Sequence, residues 1–148
     1  MSVVLDISAE IFDRNRLLVD LDDATDPESP SSVLVVVGLR GLGEILRESG
    51  SSPIVDQLHE RFAAVVGQAG AVYCTRATEL CAILDGTMHD LVEVLGAIHE
   101  GFSREAARVD VRISTGFVEL PREATHALDA LALVDRRMTS ADGPIRYD

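Results

Sequence analysis

The chain has 148 residues, 47% hydrophobic and 26% charged, the balance of one globular domain with a real core. Its 25 acidic and 13 basic residues leave a formal net charge of −12, which argues against nucleic acid and anionic membrane as partners, because both select a basic surface. No apolar run nears the ~18 residues of a transmembrane helix. The start, MSVVLDISAE, lacks the basic n-region of a signal peptide, so a cytoplasmic location is expected.

Residues 1–8 read as an extended, partly apolar lead. Leu17, Leu18 and Leu21 have helical spacing and predict a helix around Asn15–Ala24. The acidic stretch from Asp22 to Ser32, with Pro27 and Pro30, reads as an exposed loop. Its cluster of Asp20, Asp22, Asp23 and Asp26 fails as a calcium loop. Counted from Asp20, the places that need Gly and a bidentate Glu hold Thr25 and Ser31. Residues 1–32 thus lead into a domain that spans 33–148.

Val33–Val37 is a continuous apolar, mostly β-branched run and predicts a strand buried on both faces. Gly38, Gly41 and Gly43 follow, but in the order G-x-x-G-x-G. The dinucleotide fingerprint runs G-x-G-x-x-G and opens directly into a helix. Here the next helix starts at Ser52 and Pro53, with Ile54, Leu58, Phe62 and Val65/Val66 on one face. Two short strands follow, Ala71–Thr75 and Glu79–Leu84, joined by a tight turn at Arg76–Thr78. A turn centred between Arg76 and Ala77 makes Cys74 face Glu79 and Cys81 face Val72. The two thiols would then lie diagonally on one face, ~7–8 Å apart, too far for an unstrained disulfide.

Thr87 with Asp90 resembles a capping box. Leu91, Val94, Leu95, Ile98 and Phe102 mark the apolar face of the helix after it. Val109–Val118 reads as a long strand with Val109, Val111 and Ile113 on one side. Pro121 opens a last helix with Leu128, Leu131, Val134 and Met138 inward. Asp142-Gly143-Pro144 ends it, and Ile145–Tyr147 reads as a short closing strand. This order is the split βαβ, ferredoxin-like α+β arrangement: an antiparallel sheet with both crossover helices on one face.

Catalytic motifs are sparse. His59-Glu60 and His99-Glu100 begin H-E-x-x-H, but the fifth residues are Ala63 and Ser103. Ser114 lacks the preceding glycine of a nucleophile elbow.

From about Asn15 to Tyr147 the order and local spellings resemble the GGDEF domain, the diguanylate cyclase family with a palm-like fold. Asn15-Arg16 looks like the end of its opening motif, and Val33–Ile45 like its first strand. Gly50 and Leu58 fit the following loop and helix. Tyr73–Leu84 looks like the signature hairpin, with Gly-Gly-Asp-Glu-Phe spelled Arg76-Ala77-Thr78-Glu79-Leu80. Val111–Pro121 resembles the Val-Ser-Ile-Gly-Val strand, with Ser114 and Gly116 kept. Val134–Met138 resembles the last helix, with Asp135 kept.

The resemblance implies a bacterial signalling protein whose working relatives hold two divalent ions on carboxylates. Those ions cancel triphosphate charge and activate a ribose hydroxyl. In this chain the first-strand aspartates align with Gly38 and Arg40, and the third signature residue with Thr78. Only Glu79 remains. The two signature glycines are Arg76 and Ala77. The guanine-reading Asn and Asp align with Leu46 and Arg47, and the phosphate-contacting lysine with Asp142. The product-inhibition motif, Arg-x-x-Asp, would fall at Gly67 and Gly70. The resemblance therefore implies a degenerate, non-catalytic GGDEF-like domain with no metal or other cofactor. Its expected role is as a regulatory or protein–protein interaction module. The alternative is a metal-independent receptor for GTP or cyclic di-GMP, with Arg40, Arg47 and Arg76 near the old phosphate cleft. Arg40 is expected beside Glu79, in the place of the cation.

Overall fold

A computed structural model describes residues 10–41 and 53–140. Their centre is a six-stranded sheet in the order β1-β3-β4-β2-β5-β6. Strand β2, Ser32–Arg40, is the axis, antiparallel to both β4, Glu79–Asp85, and β5, Arg112–Leu120. As the apolar run predicts, it is buried on both faces from Ser32 to Val37. Strand β3, Gly70–Arg76, pairs antiparallel with β4, and the two-residue β1, Ile11–Phe12, joins its free edge in parallel. At the far edge β6, Thr139–Ser140, pairs with β5. The closing strand expected at 145–147 lies outside the described residues. This is the expected split βαβ α+β architecture.

One face carries the crossover helices. Helix α2, Pro53–Val66, buries Val55, Leu58, Phe62, Ala63 and Val66. The second crossover starts at the expected capping box. Thr87 N donates to Asp90 Oδ2 at 3.2 Å, and Asp90 N to Thr87 Oγ1 at 3.1 Å. It then runs as α3, Val92–Gly96, through a π-helical turn, Ala97–Phe102, into α4, Ser103–Ala107. The rings of Phe62 and Phe102 meet at 5.6 Å between the two crossovers. Within the π turn the buried His99 reaches β5, with Nδ1 2.5 Å from Thr115 Oγ1.

The other face is covered as well. Helix α1, Arg14–Ala24, is capped by Asp13, whose Oδ1 accepts from Arg16 N at 2.9 Å. It buries Leu17 and Leu21 against Leu34, Val36, Tyr73 and Val118. Helix α5, Ala127–Arg136, adds Ala127, Ala130 and Val134 to the same layer. The expected inward face of this helix is corrected at one position: Leu128 is 72% exposed, while Val134 is buried and Leu131 and Met138 pack against the same layer. The helix begins six residues after Pro121, and its small alanines face the sheet, where they let the backbone come close. The start of β5 is corrected too. Val111 N donates to Ala106 O and Asp110 N to Ala107 O, with Asp110 at φ 60°. That is a Schellman stop to α4, so Val109 and Asp110 belong to the turn and not to the strand.

A partly buried ion network ties β5 to the end of α5. Arg137 grips Glu123 with two bonds of 2.8 and 2.7 Å, and donates to Phe117 O at 3.2 Å. Glu119 accepts from Met88 N and from Arg122 Nε, each at 2.9 Å. Burial alone pushes the Glu123 carboxyl up. The Arg137 bonds, the Glu119 N–H and the charges of Arg137 and Arg122 outweigh it and hold the group below its ordinary range. Among the described residues no helix is long and apolar enough to cross a membrane.

Candidate functional site

The hairpin turn and the end of β2 come together by register. Gly38 is a strand residue, opposite Glu79 on β4 and Ser114 on β5. One residue on, Leu39 N donates to Thr78 O at 2.8 Å. From the other side His59 Nε2, on α2, donates to Ala77 O at 3.1 Å. The turn is therefore held from both the central strand and the crossover helix.

A β-bulge between Cys74 and Arg76 shifts the hairpin register. It pairs Cys74 with Leu80 and Tyr73 with Cys81. The expected facing of the cysteines is thereby corrected, because a one-residue slip moves a side chain to the other face. Cys74 packs toward the crossover helices and Cys81 toward α1 and α5. Burial pushes both thiols up, in Cys81 with help from the Glu79 charge, so neither is poised as a nucleophile. The bulge also puts Thr75 beside Glu79, where its Oγ1 donates to Oε1 at 2.5 Å.

Glu79 opens into a cleft of about 460 Å³ between the hairpin, α1 and α5, also lined by Arg14, Arg76 and Asp135. Two cations and two carboxylates share this space, and among the described residues no ion pair joins them. Arg40 lies apart from it. It is two residues beyond Gly38, past the last paired residue of β4, and stands opposite Arg112 at the exposed end of the sheet. No ion pair between Arg40 and Glu79 forms, so the expected replacement of a cation by Arg40 is corrected. Ala77 and Thr78 form the turn through their backbone carbonyls. Leu46, Arg47 and Asp142 lie outside the described residues.

The residues present do not fit a pair of divalent ions. Gly38 offers no side chain, and a Cβ there would stand 3.1 Å from Ser114 Oγ and 3.3 Å from Met138 Cε. Thr78 is neutral and Arg40 cationic. Among the residues matched to the family's ligand positions Glu79 alone is a carboxylate, with Asp135 on another wall of the cleft, and hard cations need several oxygen ligands. Among the described residues no three His, Cys, Asp or Glu side chains gather as a metal-holding group.

A sheet axis flanked by two antiparallel partners, with a signature-length hairpin docked on its end, has many solved counterparts. The FimX GGDEF domain from Pseudomonas aeruginosa superposes with TM-score 0.68 at 16% identity, covering 93% of each chain. The fold is that of a GGDEF domain. The GGDEF domain of DgcB from Caulobacter crescentus, solved with c-di-GMP, gives 0.63 at 17% identity over 93% of this chain and 88% of that one. The active GGEEF domain of a diguanylate cyclase from Vibrio cholerae gives 0.68 at 13% identity over 87% and 89%. No family model and no curated protein sequence matches the chain.

Within the GGDEF fold, sequence reasoning located the hairpin, the end of β2 and Arg76 at the cleft, but not the roles of Thr75, His59 and Arg14. Thr75 and His59 act through a bulge and a helix-to-turn contact between distant positions, which no local pattern encodes. Arg14 sits one residue before the matched Asn15-Arg16, and its place in the cleft follows only from how α1 packs.

Proposed function

We propose that this chain is a catalytically inactive GGDEF-like domain that works as a regulatory or protein–protein interaction module. The observation that carries the reading is the junction of β2 with the hairpin. There Gly38 and Thr78, matched to positions at which working relatives carry carboxylates, offer none, and Glu79 is engaged by Thr75. Phosphoryl transfer of this kind is almost wholly charge stabilisation and positioning, so loss of the ligand set removes most of the catalysis. The Arg76-Ala77 pair in place of two glycines also adds side chains where backbone would approach phosphates.

A second reading is favoured by one observation: Arg14 and Arg76 face the same cleft as Glu79 without an ion-pair partner among the described residues. Two guanidiniums suit an anionic nucleotide held without metal, and the DgcB domain is seen with c-di-GMP. Calorimetric titration with GTP and with cyclic di-GMP, with and without magnesium, separates the two. The module reading expects no saturable heat from either nucleotide. Metal-independent binding that is lost in Arg76→Ala would replace it with the receptor reading.

A further inference from the structure

The second crossover buries an ionisable side chain that takes no part in the hairpin cleft. His99 is 2% exposed and sits in the π-helical turn Ala97–Phe102, between α3 and α4. We infer that His99 is an acid-sensitive latch: a second proton on its ring opens this turn and frees the crossover from β5 and α2. Two observations carry the inference. The ring makes one bond, between Nδ1 and Thr115 Oγ1 at 2.5 Å, and its buried Nε2 has no hydrogen-bond partner. The turn is also weakly built. Gly96 and Gly101 flank His99, and a Cβ at either would meet nothing within 4 Å. Packing therefore does not demand these glycines, while each lowers helix stability. A π-helical turn is itself rare and is found mostly at functional sites.

The Thr115 hydroxyl both donates and accepts, so it suits Nδ1 in either neutral tautomer. A second proton makes both ring nitrogens donors and adds a unit charge. One N–H then has no acceptor, and the charge lies beside the buried Ile98 and Phe102. The charged groups around the turn are engaged elsewhere or face water. On β5, Glu119 shares the Thr115 face but accepts from Met88 N and Arg122 Nε, and Arg112 is exposed on the opposite face. On α2, His59 is bonded to Ala77 O, Arg61 pairs with Glu105 of α4 at 3.8 Å, and Asp56 and Glu60 are exposed. Glu93 on α3, Glu100 in the turn and Arg104 on α4 are exposed too. None of them bonds to His99. An opened, hydrated turn takes up the proton that the closed one has no place for. The latch therefore holds above the titration range of free imidazole and weakens as pH falls through it. Opening also parts Phe102 from Phe62, whose rings meet at 5.6 Å.

Amide hydrogen exchange on the full chain, read by NMR as protection factors, tests the latch. It is measured at about pH 7.5 and about pH 5.5, either side of the titration of free imidazole at about 6.5. Protection across Ala97–Phe102 should fall about tenfold over that range, because each opening takes up one proton. Protection in β2 should hold. His99→Asn keeps an N–H donor for Thr115 and cannot titrate, so its profile should be flat. His89→Asn, at an exposed position, should keep the parent's fall. A flat profile in the parent would overturn the inference, whether or not the asparagine variant folds. So would an equal fall in β2, which would mark general acid destabilisation, or a fall of the parent's size in His99→Asn.

Discussion

Replacing Gly116 by alanine should destabilise the fold through one contact. An ideal Cβ on Gly116 would lie 2.4 Å from the carbonyl oxygen of Val134, and 3.1 Å from both Val134 Cγ2 and Met138 Cγ. Ordinary contact begins at 3.4 Å, so α5 and β5 must part by about 1 Å. The Met138 side chain can turn aside, but the Val134 carbonyl belongs to the helix backbone. The helix is also tied down one turn later by Arg137 on Glu123 and Phe117 O. Overpacking of this kind costs ~1–3 kcal/mol, and losing glycine's unfolded-state entropy returns ~0.4–1 kcal/mol. A net loss of ~1–2 kcal/mol follows, read as a lowered urea midpoint at unchanged slope. Gly96→Ala is the control, because nothing lies within 4 Å of a Cβ there. In a helix it should gain ~0.5–1 kcal/mol. If Gly116→Ala proves as stable as the parent, or moves with Gly96→Ala, the close approach of α5 to β5 is wrong.

Other substitutions probe the core and the buried ions. Phe62→Ala, at a fully buried ring packed on Phe102, should cost ~3–5 kcal/mol in urea melts; a loss under ~1 kcal/mol would contradict the packing of α2. Arg137→Met strands the Glu123 carboxylate, whose side chain is 12% exposed, and should cost ~3–5 kcal/mol. Because Glu123 is held below its ordinary value of 4.5, its stabilisation is full above that pH. It is lost as pH falls through the lower folded value. Stability measured from pH 6 down to about pH 2 should therefore decline less steeply in Glu123→Gln than in the parent, and an unchanged acid limb would remove Glu123 from the explanation.

Much of the fold is legible in the chain because its strongest signals are local. The Val33–Val37 run, the β-rich arms around Arg76–Thr78 and the spacing of Leu58 and Phe62 each report one element, and each element is present. The kept glycine at 116 has a physical reason that only the packing reveals, the close approach of Val134. What was not legible depends on register and on contacts between distant residues. The bulge before Arg76 flips the cysteines and delivers Thr75 to Glu79. The Schellman stop at Asp110 shortens β5, and the turn after Pro121 rotates α5 so that Leu128 faces water. The covering of the second face by α5 likewise rests largely on alanines, which carry little hydrophobic signal, whereas α1 buries the Leu17 and Leu21 that its spacing shows. At the candidate site, reading residues at matched positions leads to Glu79 as the proposed remaining carboxylate. It misplaced Arg40, because two residues past Gly38 the strand has already outrun the hairpin.

The central claim is the absence of cyclase chemistry, and product formation tests it most directly. Purified protein is incubated with GTP and magnesium, and separately with manganese, and the nucleotides are resolved by chromatography with mass detection. The expected result is unconverted GTP, with no cyclic dinucleotide, in both metals. Formation of cyclic di-GMP that disappears in Glu79→Ala would show that one carboxylate suffices at this junction, and would contradict the claim.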